Sequence, residues 1–329
     1  MARIRSTLLL ALTAFAAVAC NGEQLEQADR KAAFPGTDDD VRSIPPNDET
    51  GQLAAVLDEG FATPGKGPDN WRFIVIRAMD RHDPALPNAG MHVFVGAGVE
   101  LPAGALRIRR GWHTSGQIDG TNEQLERHGI AVAIERGAAE PFAPEVVNAV
   151  KQFVVAVAQR VHIHPDCVVA MGEVPFARDH RADAAERALV ATVRSSVPVP
   201  DARGNLTVVS GDNRIAVSYE RRDTDIGRQI GMMMRKRFNG TDRGMLFVYP
   251  HRAQRRFYMR NCFIPIDLAY LKKGRIEQIV SMPPQPGIPT QDLPAYESNT
   301  AVRYALEMPG GWFAKQGIAV GDTVEGLAE

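Results

Sequence analysis

Apolar positions change their spacing several times along this chain, and each change marks a structural element. The run Arg72–Arg77 is almost continuously apolar and predicts a buried strand; Met91–Val95 predicts a second, ended by Gly96 and Gly98, and Gly129–Glu135 a third. Pro144 opens a stretch in which Val147, Val150, Val154, Val157 and Val161 recur at helical spacing, so an amphipathic helix lays one face on a sheet. Strands alternating with a long helix predict an α/β layered domain. Beyond the break Ser195-Ser196-Val197-Pro198-Val199-Pro200 the pattern shortens. A strand is expected at Leu206–Val209, then a helix over Asp225–Phe238 with Thr224 as N-cap and Asn239-Gly240 as its stop. The remainder reads mostly as strand, including a hairpin in which Asp267–Leu271 and Arg275–Ser281 flank Lys272-Lys273-Gly274.

The N-terminal part differs in kind. Arg3 and Arg5 precede an apolar stretch, Leu8 to Val18, too short to span a bilayer comfortably, and Ala17-Val18-Ala19-Cys20 follows as a processing site. This is similar to a bacterial lipoprotein signal, in which Cys20 becomes the acylated N-terminus; ordinary cleavage after Ala19 also fits the small-residue rule. Either route places the mature protein in the bacterial cell envelope outside the cytoplasm, and acylation makes it a membrane-anchored lipoprotein facing the periplasm. Residues 20–69 are polar and broken by Pro35, Gly36, Pro45, Pro46, Pro64 and Gly67, which predicts a flexible tether with one short helix at Leu53–Leu57. The organisation read from sequence is therefore a signal peptide at 1–19, the tether at 20–69, a first domain at 70–195, a linker at 196–205 and a second domain at 206–329.

A chain of 329 residues is long enough for two cores, and 38 basic against 39 acidic residues leave a formal charge of -1. With no net positive field and no basic stripe interleaved with aromatics, nucleic acid is not an expected partner. After processing, Cys167 and Cys262 remain in different domains, which argues against a structural disulfide.

Two segments carry family resemblance. Gly244-Met245-Leu246-Phe247, the stretch RRFYMRNCFIPIDL at Arg255–Leu268, Tyr304-Ala305-Leu306-Glu307-Met308, Gly310-Gly311 and Gly317-Ile318-Ala319-Val320-Gly321-Asp322 occur in that order. They resemble domain-of-unknown-function family 192, whose motifs read GMLF, FWMKNTLIPLD, a leucine–glutamate segment and G-x-x-x-GD. The resemblance covers roughly Leu206 to Glu329 and implies a compact, mainly antiparallel β sandwich (α+β), with no reaction attached. Within it Arg256, Met259, Asn261, Asp267 and Glu307 form the candidate polar cluster. Asp267 and Glu307 interrupt apolar strands, and burial of such groups demands partners. They form a paired-carboxylate site, or Asp267 and Asn261 pin a turn while Glu307 pairs with Arg256 or Arg260. Met232-Met233-Met234 is either core filler or a set of soft metal ligands.

In the first domain, Trp71-Arg72-Phe73-Ile74-Val75-Ile76, Gly90-Met91-His92-Val93-Phe94-Val95, Gly111-Trp112, Gly129-Ile130-Ala131-Val132, the Pro144 helix and Val168 to Pro175 resemble the type-2 N-acetylmuramoyl-L-alanine amidases and the peptidoglycan recognition proteins. Those enzymes bind zinc through two histidines and a cysteine or aspartate. The resemblance places Arg77 and Met171 at the two histidine positions, and a guanidinium or a thioether is a poor substitute for imidazole on zinc. Met91 and Ala131 replace two further catalytic side chains, and the segment that carries the last ligand is missing. The implied domain is α/β and amidase-like, with no cofactor and zinc expected to be absent. Its ligand-groove candidates are Arg77, His92, Trp112, His113 and Met171, with His92 read as a packed core histidine. His113 reads as ligand-facing or as a plain surface residue. His162 and His164, in H-x-H before Asp166, read as a surface metal pair or as two solvated loop histidines. The function expected is binding of peptidoglycan or muropeptides without catalysis. The alternatives are an active amidase with atypical ligands and a structural or partner-binding lipoprotein.

Overall fold

The computed structural model describes residues 41–46, 48, 51–62, 71–79, 92–99, 101–109, 128–136, 141–173, 182–201, 203–286 and 288–327. The signal segment with Cys20, and Met91, Trp112 and His113, lie outside them. No helix among the described residues is long and apolar enough to cross a membrane.

The first body contains, in chain order, β1 (Val41–Ile44), α1 (Gln52–Ala62), β2 (Phe73–Met79), β3 (Val93–Val95), β4 (Leu106–Arg109), β5 (Gly129–Glu135), α2 (Pro144–Val161), β6 (Val168–Ala170) and α3 (Ala184–Ser196). Its sheet has the order β1-β4-β3-β5-β2-β6. The β2–β5, β2–β6 and β3–β5 pairs are parallel, whereas β3–β4 and β1–β4 are antiparallel. Inner parallel strands are covered on both faces, and β5 is accordingly buried at every position.

Pro144 stands in the first turn of α2, where a missing N–H costs nothing, and the buried side is Val146, Val150, Phe153, Val154, Val157 and Val161. Val147 is only partly buried. The inward stripe thus begins one residue earlier than apolar spacing alone placed it. α3 was not legible, because it buries only Glu186, Leu189, Val190 and Val193 in a polar sequence. Asp183 caps it, its carboxylate accepting from Glu186 N at 2.8 Å.

The tether expectation fails at Val41–Ile44, whereas the short helix expected at Leu53–Leu57 is present within α1 and is longer than expected. β1 pairs with β4 from Val41↔Arg109 to Ile44↔Leu106, and α1 buries Leu53 and Leu57 in the main core. Asp48 caps α1, accepting from Gln52 N at 3.1 Å and Leu53 N at 2.7 Å. A short amphipathic helix and an edge strand bury enough apolar surface to hold a segment that its prolines alone would leave extended.

The second body contains β7 (Gly204–Ser210), β8 (Asn213–Arg222), α4 (Asp225–Ile230), β9 (Arg243–Ala253), β10 (Arg256–Phe257), β11 (Ile266–Lys272), β12 (Arg275–Met282), β13 (Tyr296–Glu297), β14 (Val302–Pro309), α5 (Trp312–Lys315) and β15 (Thr323–Glu325). The expected sandwich is instead a closed barrel of order β11-β12-β15-β7-β8-β9-β14, sealed where β14 pairs with β11. A closed sheet has no unpaired edge to cover. All its neighbours are antiparallel except β8–β9. Lys273 and Gly274, with φ 50° and 70°, form the β11–β12 turn, as the hairpin reading required. Gly244 is dictated by packing: a Cβ there would meet the Glu307 carbonyl oxygen at 2.7 Å and the Met308 sulfur at 2.5 Å.

β11 is buried on both faces because the barrel has two apolar layers. Ala269, Leu271, Leu306 and Met308 belong to the cluster with Leu246 and Trp312, while Leu268, Tyr270 and Ala305 join an outer one with Phe247, Phe257 and Met259. Side-chain alternation along strands produces this division.

The helix expected over Asp225–Phe238 stops at Ile230. Thr224 caps its start, accepting from Gly227 N at 3.0 Å, and Gly231 at φ 48° ends it. The next residues join the two bodies: Met232 lies in the barrel's outer cluster, and Met233 and Met234 complete the core of the first body. Met234, at φ 63°, donates its N–H to the Asn261 carbonyl, while the Met233 carbonyl accepts from the Cys167 thiol and Lys236 N donates to Asp166. The methionines are core filler.

Arg235, 2% exposed, pairs with Glu220, which Arg222 also meets at 3.0 Å. Burial pushes the Glu220 carboxyl up, but the Arg235 and Arg222 guanidiniums outweigh it and hold it below its ordinary value. Arg235→Ala leaves that buried carboxylate short of a partner. It is expected to destabilise the chain by about 3–5 kcal/mol in urea unfolding, with both bodies responding because the segment belongs to both cores.

Candidate functional site

The central sheet sets one predicted groove residue, Arg77, in a row with three residues that the sequence did not single out. Arg77 pairs with Ala133, Ala133 with Phe94, and Phe94 with Arg107, so these four occupy one row across β2, β5, β3 and β4 and share a face. Strand spacing separates the two arginine Cα atoms by about 14 Å. Arg77, Phe94 and Arg107 are each half-buried. Met79, Ala133 and Phe94 form a small apolar cluster apart from the main core. On the other side of β2, Ile76 pairs with Ala170, the residue before Met171, so Arg77 and Met171 end up at neighbouring strand ends. Met171 is 4% exposed and belongs to the main core.

His92 is buried at 2% exposure, with Nδ1 accepting from Ala131 N at 2.9 Å and its ring edge-on to Trp71, 5.5 Å between centroids. It is packed into the core and does not line the row.

His162 and His164 do not point the same way. His162 is the left-handed C-cap of α2 at φ 54° and is exposed, whereas His164 is buried. His164 Nδ1 accepts from Asp166 N at 3.1 Å, so the neutral ring carries its proton on Nε2 and donates to Asn239 Oδ1 at 3.2 Å. Burial, helped by Arg235, lowers its pKa to about 4. The left-handed turn breaks the strand-like alternation on which a shared metal site depended. Among the described residues no group of three or more His, Cys, Asp or Glu lies close enough together to hold a metal ion.

The polar cluster of the second body separates into distinct roles. Asp267 pairs across the sheet with Met308, while Glu307 pairs with Leu268, so the two acids face opposite sides of the wall and form no carboxylate pair. Asp267 accepts from Gly311 N at 2.9 Å and from Ser281 Oγ at 2.8 Å, which fixes the turn after β14. Asn261 is buried at φ 52° and offers its carbonyl to Met234 N. Met259 is core, and Arg256 lies on the surface 3.7 Å from Glu297.

Glu307 is different. It pairs with neither Arg256 nor Arg260; it is 5% exposed, and its Oε2 has no hydrogen-bond partner among the described residues. It lines a cavity of about 250 Å³ outside the barrel wall, together with Met232, Phe247, Phe257, Arg228 and Arg260. Burial raises its pKa to about 8, against a smaller opposing pull from Arg222. Arg228 is tied to Asp225 and to the Val248 carbonyl, and with Arg255 it covers the Tyr249 ring, whose hydroxyl burial pushes up to about 12. Arg228 and Cys262 carried no sequence signal for this cavity, because what places them there is the early end of α4 and the turn at Asn261.

These features define a mixed α/β sheet fused to a closed β-barrel, and the comparisons concern the barrel. Residues 207–326 match the model of the family DUF192, described as Uncharacterized ACR. Among solved structures, a putative transcription regulator from Sinorhizobium meliloti 1021 is 23% identical, covering 37% of this chain and 91% of that chain with a TM-score of 0.33. A protein of unknown function from Novosphingobium aromaticivorans DSM 12444 is 28% identical, covering 37% of this chain and 83% of that chain, also with a TM-score of 0.33. At that score neither carries an argument. No curated protein matches.

Glu307 makes stability depend on pH in a calculable direction. An acid whose pKa is raised from 4.5 to about 8 on folding holds its proton in the native state where the unfolded chain has lost it. Its contribution is complete below pH 4.5 and is lost as pH rises through about 8. Glu307→Gln, a neutral isostere, is therefore expected to unfold at higher urea than wild type at alkaline pH, by about 2–5 kcal/mol, with the difference vanishing near pH 4. Parallel pH profiles for the two proteins would contradict the assignment.

Proposed function

We propose that this is an exported, lipid-anchored cell-envelope protein whose first domain binds peptidoglycan or muropeptides without hydrolysing them. The observation that supports this reading is the row Arg107–Phe94–Ala133–Arg77 on one sheet face, ending beside Met171. Two half-buried arginines whose Cα atoms stand about 14 Å apart, with the half-buried Phe94 ring between them and Ala133 buried beneath, suit a short peptide bearing carboxylates, in which small side chains and a sugar face rest on the ring. The chemistry of the row argues for binding over hydrolysis. Arg77 and Met171 stand where the amidases resembled carry histidines, and a permanently protonated guanidinium beside a thioether does not fit a zinc ion that must activate water. A guanidinium supplies instead a fixed positive charge and a forked donor, which holds a stem-peptide carboxylate and leaves the amide intact.

Sedimentation of the purified protein with cell-wall sacculi tests the reading. Wild type is expected to pellet with sacculi and to do so equally in EDTA, while Arg77→Ala weakens muropeptide binding by about 1.5–3 kcal/mol, the value of a hydrogen bond to a charged group. Equal affinity in the two proteins, release of wall fragments, or binding abolished by EDTA would overturn it.

The anchor is tested separately. Cys20→Ala is expected to move the protein from the membrane fraction to the soluble envelope fraction, and unchanged partition would remove lipidation from the account.

A further inference from the structure

We infer that the cavity outside β9 and β14 is a binding site for a small molecule with a primary amide or lactam at one end and a carboxylate at the other, the amide held by Glu307 and the carboxylate by Arg260. The site is independent of the proposed wall-binding face, which belongs to the other body.

Glu307 is the first reason. A carboxyl 95% removed from solvent with an unsatisfied Oε2 is a cost that native structures rarely carry without a use. It faces a cavity of about 250 Å³, just below the usual range for ligand pockets, which limits the occupant to a small molecule. In its neutral form the group offers one donor and one acceptor side by side. Only a partner with the complementary acceptor and donor satisfies both, and the edge of an amide or lactam has that pattern. A ligand cation at the inner end is disfavoured by the positive charge around it.

That charge is the second reason, and its members are not equivalent. Arg228, from α4, already holds Asp225 and the Val248 carbonyl and forms part of the wall. Arg222, from β8, is engaged with Glu220. Arg256, from β10, makes an exposed contact of 3.7 Å with Glu297, the kind of surface pair that contributes little. Arg260 is half-buried, and its guanidinium has no hydrogen bond or ion pair among the described residues. It is the group left to take an anion. Between the two ends, Met232, Phe247 and Phe257 give apolar walls suited to a flat body.

The remaining titratable neighbours are Tyr249 and Cys262, both pushed up by burial, Tyr249 to about 12, and Tyr258, which lines the cavity at its exposed side. The part of the pH dependence that belongs to Glu307, whose pKa is about 8, is therefore the difference between wild type and a variant that lacks its carboxyl.

Calorimetric titration of the full chain with 4-carbamoylbenzoate, which joins the two required groups through a ring, tests the inference. Saturable binding at one site is expected near pH 6.5, with benzamide at least about tenfold weaker for want of the charged hydrogen bond. Arg260→Ala should bring 4-carbamoylbenzoate down to the benzamide level and leave benzamide unchanged. Raising the pH to about 9.5 should weaken binding to wild type about tenfold or more, because the ionised carboxyl no longer donates. Glu307→Gln keeps a donor and an acceptor in the same places and should bind equally at both pH values. No saturable binding to folded wild type, an unchanged affinity in Arg260→Ala, or a fall with pH in Glu307→Gln as large as in wild type would each overturn it.

Discussion

The segment that joins the two halves of this molecule is built around one buried charge. Arg235 is tolerated in the interior because Glu220 is there to meet it, and Glu220 keeps its negative charge because Arg235 and Arg222 flank it. A hydrophobic pair of the same volume could match such an ion pair in stability. What the ion pair adds is position: it fixes where the chain after α4 turns, so that Met232 faces the barrel and Met233 and Met234 face the sheet. The flexible thioether side chains then fill the irregular space between two differently shaped surfaces.

The same turn creates the cavity. Had α4 continued to Phe238, its next turns would have run on beyond Gly231, and the Met232–Lys236 segment could not have entered both cores. Its early end leaves a gap beside the barrel wall, into which Glu307 projects from the face it shares with Leu268 and Ala305. The alternation that buries Asp267 among satisfied donors puts Glu307, one strand pair away, in an apolar layer with none. Opposite fates for two acids of neighbouring strands thus follow from the parity of their positions.

Elements with a strong local signal were legible in the sequence: the strands β2 and β5, the helix opened by Pro144 and the Lys273-Gly274 turn. Those that depend on distant partners were not. The strand at Val41–Ile44 exists because Leu106–Arg109 is there to pair with it, and no property of Pro45-Pro46 or the acidic run before it announces that. Closure of the barrel likewise rests on β15 and β7, more than a hundred positions apart, so local alternation indicated strands without distinguishing a sandwich from a barrel. At the cavity, Glu307 stood out as an acid in an apolar strand. Its lack of a partner did not, since Arg256 and Arg260 are close in sequence motif and only the folded backbone shows them lining the same cavity without pairing with it.

Closure also orders events in time. The sheet of the first body needs nothing beyond α3 for its strands, but its core stays open on one side until Met233 and Met234 arrive, and the segment carrying them is held in turn by Asn261. The barrel that supplies Asn261 cannot seal until Thr323–Glu325 reaches β7. A chain delivered from its N-terminus therefore folds as two incomplete halves that finish each other late, and long-range closure of this kind is slow. Until that segment arrives the apolar face that Met233 and Met234 cover stays open, which couples the folding of the first body to that of the second.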